Sequence, residues 1–564
     1  MTDSSKTSWI SAFLLALSLL LVKLVSVILK TARLRKIMPP GPRGLPLLGN
    51  MLDIGRMQWL RLTEWKEVYG PIFSLNLAGQ PIIVLNDVET AVDLLPYDDL
   101  AENRSNIYGS RPRLVMAGEI LTGSMFFPTE PLGDSWRRRR KAAHEGFNPR
   151  ATTGYQAIQE QESAALALHI LTDPDSWVHH VKRSTASTML SVIYGKFSST
   201  SHSSPGFKSA SRQPGCSEHD EAARTSVDVD ELVTRLHGFM QRILCACVPN
   251  AYLVEAFPTL ASLPDWAAEW LREGRAWFSR DTRLFEMLLD NVRRRLAEDT
   301  AAADSSFAAK LLESEKSGLL SGLEAAWVAG TMFGAGSETT AAALSVFVLA
   351  MVLYPDAMKR AQAQIDAVVG RERLPAFSDR RHLTYVEAIV REVHRWRPVG
   401  PLGVAKRSVQ DDWYKGYFDY RRHCPDERLV GFPAMNRDPR YFPDYDDFRP
   451  ERYLDASGQL IEPMPHTHGQ GHIAYGAGRR ICMGKDMANQ SMFIDFAVML
   501  WAFDFAKAVD EDGSPITPSS TDCIDQSIVV RPVPFKCSIK PRSPEVASIL
   551  RTATATSHDQ RNDF

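Results

Sequence analysis

One cysteine stands in a glycine-rich setting that suits a metal ligand. Cys482 lies near the end of the run Tyr475-Gly-Ala-Gly-Arg-Arg-Ile-Cys-Met-Gly484, and a helical pattern follows from Lys485. Gly476 and Gly478 can adopt positive φ, so the backbone can lie against a flat ligand where a Cβ would collide. The positive end of the following helix favours a thiolate at the cysteine. The pattern therefore predicts a cysteine thiolate that binds the metal of a flat cofactor.

An arginine beside this cysteine adds a site for an acidic group. Arg480 carries a planar fork of N–H donors that pairs well with carboxylates. Heme is a flat cofactor with propionate carboxylates, and a thiolate ligand pushes electron density toward its iron. The run is therefore a candidate heme-thiolate site, with a free structural cysteine in a Gly-rich loop as the alternative.

A long apolar helix carries a second unusual cluster. Ser321 and Glu324 form the pattern of a capping box, and the helix that they open runs to Tyr354, where Pro355 ends it. Its middle reads Ala335-Gly-Ser-Glu-Thr-Thr340, in which the glycine costs about 1 kcal/mol relative to alanine. Helix propensity therefore does not explain why these residues occur in the middle of the helix. A threonine that bonds to the carbonyl four residues earlier is the purely structural alternative.

Two further helical patterns place pairs of side chains on one face. Trp136 and Arg140 are four residues apart in a basic run that ends at Lys141, which by itself indicates a solvated helix face. Glu392 and Arg395 are three residues apart on a helix that a capping box at 384–387 opens. Such a pair is ordinarily a surface salt bridge worth under about 1 kcal/mol.

Taken in order, these patterns resemble the cytochrome P450 superfamily, and they are most similar to its fungal microsomal members. The cysteine loop matches the family motif F-x-x-G-x-R-x-C-x-G at Gly478, Arg480, Cys482 and Gly484. It departs at Tyr475, where the family usually has Phe and where the added hydroxyl needs a partner beside the heme. The resemblance covers residues 38–542 and includes five motifs in the family order.

The resemblance implies a role for each of these residues. Cys482 would be the axial ligand of the iron of heme b. The other residues placed against the heme would be Arg480, Trp136, Arg140, Gly476 and Gly478. Glu338 and Thr339 would deliver protons during oxygen activation, while Gly336 would leave room for dioxygen. The residues that would hold the core behind the heme without taking part in the chemistry are Glu392, Arg395 and Arg452.

Length and composition agree with one large cofactor domain. The 564 residues carry a net charge of −2 at pH 7, which gives no indication of nucleic-acid binding. The seven cysteines form no C-x-x-C pair and no disulfide-dense pattern, so the catalytic part is expected to be reduced and cytosolic. The loop histidines at 466, 468 and 472 are expected to be solvated rather than to bind metal.

The N-terminus predicts a membrane anchor. Residues 9–29 form an apolar run long enough to span a bilayer as a helix, and the basic residues of 30–36 place the following domain in the cytosol. Residues 1–8 would be a short luminal segment, and 30–44 a basic and proline-rich hinge. A cleaved signal peptide is the alternative, but its apolar core is usually about 7–15 residues long.

The remaining boundaries follow from local composition. Residues 45–542 are predicted to form the heme-thiolate domain, with a Ser-rich disordered insertion at 197–225. Residues 543–564 are predicted to be a disordered tail. Residues 419–433 carry seven charged or basic side chains where the family has a turn and an apolar strand. This segment is therefore predicted to loop out and to leave the neighbouring strands without backbone partners.

The resemblance also implies a fold, a reaction and a location. The fold would be mainly α, the P450 fold of a helical heme domain with small β-sheets, on an N-terminal transmembrane helix. The protein would be a monooxygenase that inserts one atom of dioxygen into an apolar small molecule, as in fungal secondary metabolism. Electrons would come from NADPH through NADPH–cytochrome P450 reductase. The domain would face the cytosol from the lipid bilayer of the endoplasmic reticulum, as a single-pass protein.

Two alternatives to this function stay open. A heme-thiolate isomerase, dehydratase or peroxygenase would need no proton relay, and the presence of Glu338 and Thr339 argues against it. A catalytically impaired, membrane-anchored homologue is favoured only by the altered segment at 419–433.

Overall fold

A computed structural model shows a mainly helical chain with small sheets. It describes residues 35–562 and five single positions before them, except for 46–47, 56, 78–79, 96–109, 196–228, 249–250, 299–304, 411, 420–427, 432–433 and 527. The predicted anchor at 9–29 falls almost entirely outside the described residues, and the predicted insertion at 197–225 falls entirely outside them.

Helices carry most of the described chain. In order they are α1 Met51–Ile54, α2 Gln58–Tyr69, α3 Val88–Leu94, α4 Asp134–Phe147, α5 Pro149–Thr153, α6 Gln156–Thr172, α7 Trp177–Tyr194, α8 Val229–Ala246, α9 Leu253–Ala256, α10 Glu269–Ala297, α11 Phe307–Lys316, α12 Gly322–Leu353, α13 Pro355–Val368, α14 Thr384–Trp396, α15 Lys485–Ala502 and α16 Val546–Asn562. A π-helical turn at Val115–Ile120 and several 3-10 turns connect them.

Short strands form four small sheets within the described residues. They are β1 Ile72–Leu77, β2 Gln80–Leu85, β3 Lys406–Arg407, β4 Asp412–Tyr414, β5 Tyr417–Asp419, β6 Arg428–Gly431, β7 Phe503–Val509, β8 Pro515–Ile516, β9 Cys523–Gln526, β10 Val529–Pro532 and β11 Cys537–Pro541. The largest sheet has the order β1-β2-β6-β3, and the others are β11-β7-β8, β10-β9 and β4-β5. β1 and β2 pair in antiparallel fashion over their full length, from Ile72 opposite Leu85 to Leu77 opposite Gln80.

Helix α12 crosses the core of the protein. It begins at the capping box of Ser321 and Glu324, as the sequence predicts, and Tyr354 caps its end before Pro355. It packs against α7, α8, α10, α11 and α15, so it is apolar on all sides. Among the described residues it is the one helix long and apolar enough to cross a membrane, but 72% of its apolar window is buried inside the protein. Its composition is therefore that of a central core helix.

The segment at 419–433 differs from the expectation. Arg428–Gly431 forms β6, which lies between β2 and β3 in the largest sheet. It pairs in parallel with β2 and in antiparallel fashion with β3. The prediction that the segment leaves its neighbours without backbone partners is therefore wrong. The ladder joins backbone N–H and C=O groups, so side-chain composition alone could not decide whether this strand forms.

The C-terminal residues differ as well. They form α16, and its residues Val546 and Leu550 are completely buried. The two side chains are four residues apart, so they share the face that packs against α6. The prediction of a disordered tail at 543–564 is therefore wrong. Apolar burial along one face offsets the entropy cost of ordering this segment.

Candidate active site

The cysteine loop lies directly before α15. Gly476 and Gly478 both adopt the left-handed backbone expected of glycine, with φ of 77° and 67°. The Cys482 N–H donates to the Tyr475 carbonyl oxygen at 2.9 Å and closes the loop on itself. The run therefore forms the compact turn that its glycines predict.

The Cys482 thiol is accessible although it faces the protein interior. Its side chain is exposed, yet burial raises the pKa of the thiol above its usual value. A hydrogen bond from the Gly484 N–H and the charge of Arg140 act in the opposite direction, but burial is the largest effect. Burial therefore outweighs the helix N-terminus, which on its own favours a thiolate. A coordinated metal ion would deprotonate the thiol outright.

Tyr475 has protein partners for the hydroxyl that distinguishes it from Phe. The hydroxyl oxygen lies 2.8 Å from Asn489 Oδ1 and 2.8 Å from His394 Nε2. The Asn489 amide nitrogen donates to Gln470 Oε1, so the Asn489 oxygen is left to accept the tyrosine proton. His394 then donates to the tyrosine oxygen. Burial lowers the pKa of His394 to about 4, so its ring is neutral and carries the proton on Nε2.

Three of the predicted cofactor residues meet beside the loop. The guanidinium carbons of Arg140 and Arg480 lie 5.6 and 3.8 Å from the ring centre of Trp136. Arg140 donates to the Ile481 carbonyl oxygen at 3.0 Å, and Arg480 donates to the Glu130 carbonyl oxygen at 2.9 Å. The spacing of Trp136 and Arg140 therefore places both on the face of α4 that meets the cysteine loop.

Two more buried basic side chains reach the same place, and the sequence patterns missed both. Arg111 donates to the Ala405 carbonyl oxygen at 2.9 Å, and Lys406 Nζ donates to the Ala477 carbonyl oxygen at 3.0 Å. Burial, followed by the neighbouring arginines, lowers the pKa of Arg111 to about 9, of Arg480 to about 8 and of Lys406 well below its usual value. The sequence does not distinguish them from surface basic residues, because each stands close to another arginine, Arg113 or Arg407.

These side chains form a cation cluster, which comprises Arg111, Arg140, Lys406 and Arg480. After burial, Arg140 lowers the pKa of Arg111 and of Arg480, and Arg111 and Arg480 lower that of Lys406. Glu130 offsets part of the positive charge at Arg480. Propionate carboxylates would satisfy this cluster through charge-assisted hydrogen bonds. The accessible Cys482 thiol beside it suits the axial position of a heme iron. The residues present therefore fit heme.

Thr339 lies in the middle of α12. Its hydroxyl donates to the Ala335 carbonyl oxygen at 2.7 Å, which is the arrangement expected of a structural threonine in a helix. The side chain is nevertheless only partly buried, unlike those of Glu338 and Thr340 beside it. Because the hydroxyl proton is already used, Thr339 offers its oxygen lone pairs to a bound group. The structural and the catalytic explanations of Thr339 are therefore compatible.

Glu338 is held by basic side chains from two other elements. One carboxylate oxygen, Oε1, accepts a hydrogen bond from His237 Nδ1 on α8, and the other, Oε2, lies 3.8 Å from Arg531 Nη1 on β10. The Glu338 side chain is only 7% exposed. Neither partner could be inferred from the sequence, because both are more than 90 residues away along the chain.

Gly336 serves helix packing. A Cβ at this position would lie 2.5 Å from Met189 Cε on α7, which is closer than real Cβ atoms approach other atoms. Gly336 therefore has a packing neighbour on α7, and the expectation that the small residues of this motif leave room for dioxygen stays a prediction. Ala335 and Thr339, four residues apart, are partly exposed on the same stretch of α12.

The residues Glu392, Arg395 and Arg452 form a buried ion network. Arg395 Nε and Nη2 lie 2.7 and 2.8 Å from the two Glu392 carboxylate oxygens, and both side chains are fully buried. Arg452 Nε reaches Glu392 Oε1 at 3.1 Å. The pair is therefore not the surface salt bridge that its spacing alone suggests, and it has the core position that the resemblance implies.

The start of α14, which carries that pair, differs from the expectation. Thr384 is the first helical residue rather than the cap, and its hydroxyl donates to the Gly458 carbonyl oxygen at 2.8 Å. Glu387 instead accepts a hydrogen bond from Arg380. The predicted capping box at 384–387 is therefore wrong, although the helix itself is present.

The other basic residues of α4 divide between core and surface. Arg139 is buried and pairs with Glu130 and Glu324. Arg137 and Lys141 are exposed and four residues apart, so they share one surface face. The simple interpretation of the run as a solvated face therefore holds for these two residues and fails for Arg139.

The histidines near the loop do not form a metal site. Within the described residues, no group of three or more His, Cys, Asp or Glu side chains could hold a metal ion. His472 is 2% exposed, and its Nδ1 accepts the Ala474 N–H at 3.2 Å. The expectation that His472 is solvated is therefore wrong.

Comparison with known proteins agrees with this geometry. The model of the Cytochrome P450 family matches residues 39–539. This chain belongs to the cytochrome P450 family. Members of this family hold heme iron, and its monooxygenases are oxidoreductases that act on small molecules with a redox partner. The fold is accordingly the mainly helical P450 fold with small sheets.

Similar proteins come from several fungi. Cytochrome P450 monooxygenase 58 of Postia placenta is 47% identical over 555 residues, which cover 97% of this chain and 98% of that protein. A cytochrome P450 monooxygenase of Armillaria gallica is 41% identical over 514 residues, or 91% of this chain and 92% of that protein. Cytochrome P450 monooxygenase claR of Ampulloclitocybe clavipes is 33% identical over 526 residues, or 92% and 89%. This protein is therefore an enzyme of the P450 monooxygenase type.

Proposed function

We propose that this protein is a heme-thiolate monooxygenase that inserts one atom of dioxygen into an apolar small molecule in fungal secondary metabolism. The observation that carries the proposal is the accessible Cys482 thiol beside the cation cluster. Heme b, when bound, would supply the activation of dioxygen at its iron. Cys482 would be its axial ligand, the cation cluster with Trp136 would hold its propionates, and Gly476 and Gly478 would let the loop backbone approach it.

The middle of α12 would supply proton control. Thr339 would accept a hydrogen bond at its oxygen while its hydroxyl still donates to the Ala335 carbonyl oxygen. Glu338 would deliver protons to this region from its buried position. Both residues argue against an isomerase, dehydratase or peroxygenase, which would need no such relay. The pairing of β6 over residues 428–431 argues against the impaired homologue, while residues 420–427 and 432–433 lie outside the described residues.

We propose that electrons come from NADPH through NADPH–cytochrome P450 reductase. Arg137 and Lys141 expose positive charge on α4, the helix that also carries Trp136 and Arg140 at the cysteine loop. An acidic surface on the partner would dock there by charge complementarity. The path from that surface to the cofactor would then be short.

We propose that the domain faces the cytosol on a single anchor in the endoplasmic reticulum membrane. The apolar run at 9–29 and the basic residues that follow it support this topology. Leu253, Phe257 and Trp266 are 72%, 60% and 84% exposed, and such a group of large apolar side chains suits contact with a lipid bilayer. Removal of residues 1–36 should shift the protein toward the soluble fraction. Undiminished carbonate-resistant membrane integration would contradict the proposed anchor.

The carbon-monoxide difference spectrum of the reduced protein tests whether the protein binds heme with a cysteine ligand. We expect the thiolate-type spectrum, because it requires both heme uptake and cysteine ligation. Incubation with reductase, NADPH and ¹⁸O₂ against a panel of apolar terpenoids and polyketides then tests the reaction. A product with one ¹⁸O atom supports the proposal. A rearranged or dehydrated product without ¹⁸O would replace it by the isomerase or dehydratase alternative.

A further inference from the structure

His237 connects the protein surface to the buried acid of α12. Its Nδ1 is hydrogen-bonded to Glu338 Oε1, and 35% of the His237 side chain is exposed while only 7% of the Glu338 side chain is. The imidazole ring therefore has one nitrogen on the carboxylate and can offer the other to water. A histidine in such a position can take a proton from solvent on one nitrogen and give one from the other.

Helix packing fixes the position of His237. Met240 lies one turn further along α8, and a Cβ at Gly334 of α12 would lie 2.4 Å from Met240 Cγ. The two helices therefore approach as closely as a glycine permits. Gln241 on the same helix accepts a hydrogen bond from Gln526, which ties α8 to the β9–β10 hairpin that carries Arg531. His237 thus reaches Glu338 from a backbone that is held on two sides.

Two other basic side chains act on Glu338. Arg531 Nη1 lies 3.8 Å from Glu338 Oε2, and arginine stays protonated at all working pH values. Burial, the largest effect, lowers the pKa of Lys182 on α7, while the charge of Glu338 raises it. His237 is hydrogen-bonded to the carboxylate through Nδ1, and imidazole is the side chain that ordinarily exchanges protons near neutral pH.

We infer that His237 is a positioning residue that supplies protons from solvent to Glu338 during the oxygen chemistry. A hydronium ion of the solvent gives a proton to Nε2 of the ring and becomes water, and the resulting imidazolium gives its Nδ1 proton to Glu338 Oε1. The ring is then neutral with its proton on Nε2, and the carboxyl is protonated. Once Glu338 has passed its proton on, exchange with water takes the proton from Nε2 and returns one to Nδ1, which resets the pair. This inference rests on the proposed monooxygenase function.

The variant His237→Gln distinguishes proton transfer by His237 from a purely structural role of its side chain. Glutamine keeps a hydrogen-bond donor at this position but cannot titrate. His382→Gln is the matched control, because it removes another titratable histidine that is exposed. NADPH-dependent dioxygen consumption with excess reductase is measured from pH 6 to pH 8 in both variants, and it needs no knowledge of the substrate.

We expect the parent and the control to lose rate as the pH rises, because the imidazolium is depleted. We expect His237→Gln to be slower by at least about tenfold at pH 6.5 and to have a flat pH profile. This is less than the roughly 10²–10⁴-fold typical of general acid–base catalysis, because water can also reach the site. Its solvent deuterium isotope effect should exceed that of the control. A variant with the parent's rate and pH profile would overturn the inference.

A second measurement does not depend on turnover. Nitrogen-15 NMR of histidine-labelled protein should show the His237 ring with its proton on Nδ1, and Glu338→Gln should change that tautomer. His237→Gln assigns the resonance by its disappearance. A His237 tautomer that is the same in the parent and in Glu338→Gln would overturn the inference. If the tautomer of His237 depends on Glu338 but the thiolate-type carbon-monoxide spectrum is absent, the proposed function is wrong. The hydrogen bond between His237 and Glu338 is then still confirmed.

Discussion

Leu550→Ala tests the order of the C-terminus. Leu550 lies on α16, is completely buried and packs with Val546 on the same face against α6. The substitution removes three carbon atoms, or roughly 2.4 kcal/mol at about 0.8 kcal/mol for each buried CH₂ group. A residual cavity adds to this loss, so we expect about 3 kcal/mol, within the range of about 2–5 kcal/mol for buried leucines.

The expected change in melting temperature follows from the size of the domain. Unfolding entropy near about 2.1 cal/mol/K for each residue gives roughly 1 kcal/mol/K for about 500 folded residues. Leu550→Ala should therefore lower Tm by about 3 °C. Arg551→Ala is the matched control, because Arg551 is the next residue of the helix and is exposed. Both variants should be scanned at one heating rate, since large proteins often unfold irreversibly.

Limited proteolysis provides an independent assay of the same helix. Trypsin cleaves after Arg551, which is exposed but helical. Cleavage should be slow in the parent and markedly faster in Leu550→Ala, because local opening of α16 becomes easier. Equal melting temperatures for the two variants, together with immediate cleavage of the parent, would refute the structured C-terminus and restore the disordered tail.

Three other perturbations test two residues of the site and one buried carboxyl group on α15. Cys482→Ala should abolish the thiolate-type carbon-monoxide spectrum and the activity, and retention of both would contradict the ligand assignment. Thr339→Ala should leave heme binding intact but raise the peroxide formed per NADPH consumed, and an unchanged ratio would count against proton control by this residue. Burial raises the pKa of Asp495 to about 7 from an ordinary value of 3.8, so folding stability is expected to fall as the pH rises from about 4 to about 7. Asp495→Asn should therefore raise Tm at pH 8 far more than at pH 4, and an equal shift at both pH values would refute that assignment.

Structural features were predicted best from the sequence where a motif lies within one helix or loop. The run 475–484, the helix that Ser321 opens and the pair of Glu392 and Arg395 were each found in place. Glycine conformation, capping and i to i+3 spacing are local properties, so nearby residues suffice to recognise them. The long-range partner of that pair, Arg452, came only through the family resemblance.

The predictions failed where distant contacts decide the outcome. β6 forms because β2 and β3 lie on both sides of it, and neither strand can be inferred from the charges in 419–433. Lys406 and Arg111 join the cation cluster through contacts with backbone carbonyls from remote segments. The pKa of Cys482 is raised by burial, which outweighs the helix N-terminus that the sequence displays. Each of these outcomes depends on tertiary packing that a single sequence does not show.

The glycines of α12 also limit which substitutions this helix can accept. The three closest approaches are Gly330 to Phe285 on α10, Gly334 to Met240 on α8 and Gly336 to Met189 on α7. An added methyl group at Gly336 meets the flexible end of a methionine, whereas at Gly330 it meets an aromatic ring that is itself fully buried. Directed-evolution libraries aimed at new substrates should therefore leave Gly330 unchanged, because it fixes how closely α10 and α12 pack. Randomisation of α12 should concentrate on Ala335, which is only partly buried, and should keep Thr339, whose hydroxyl the proposed proton control requires.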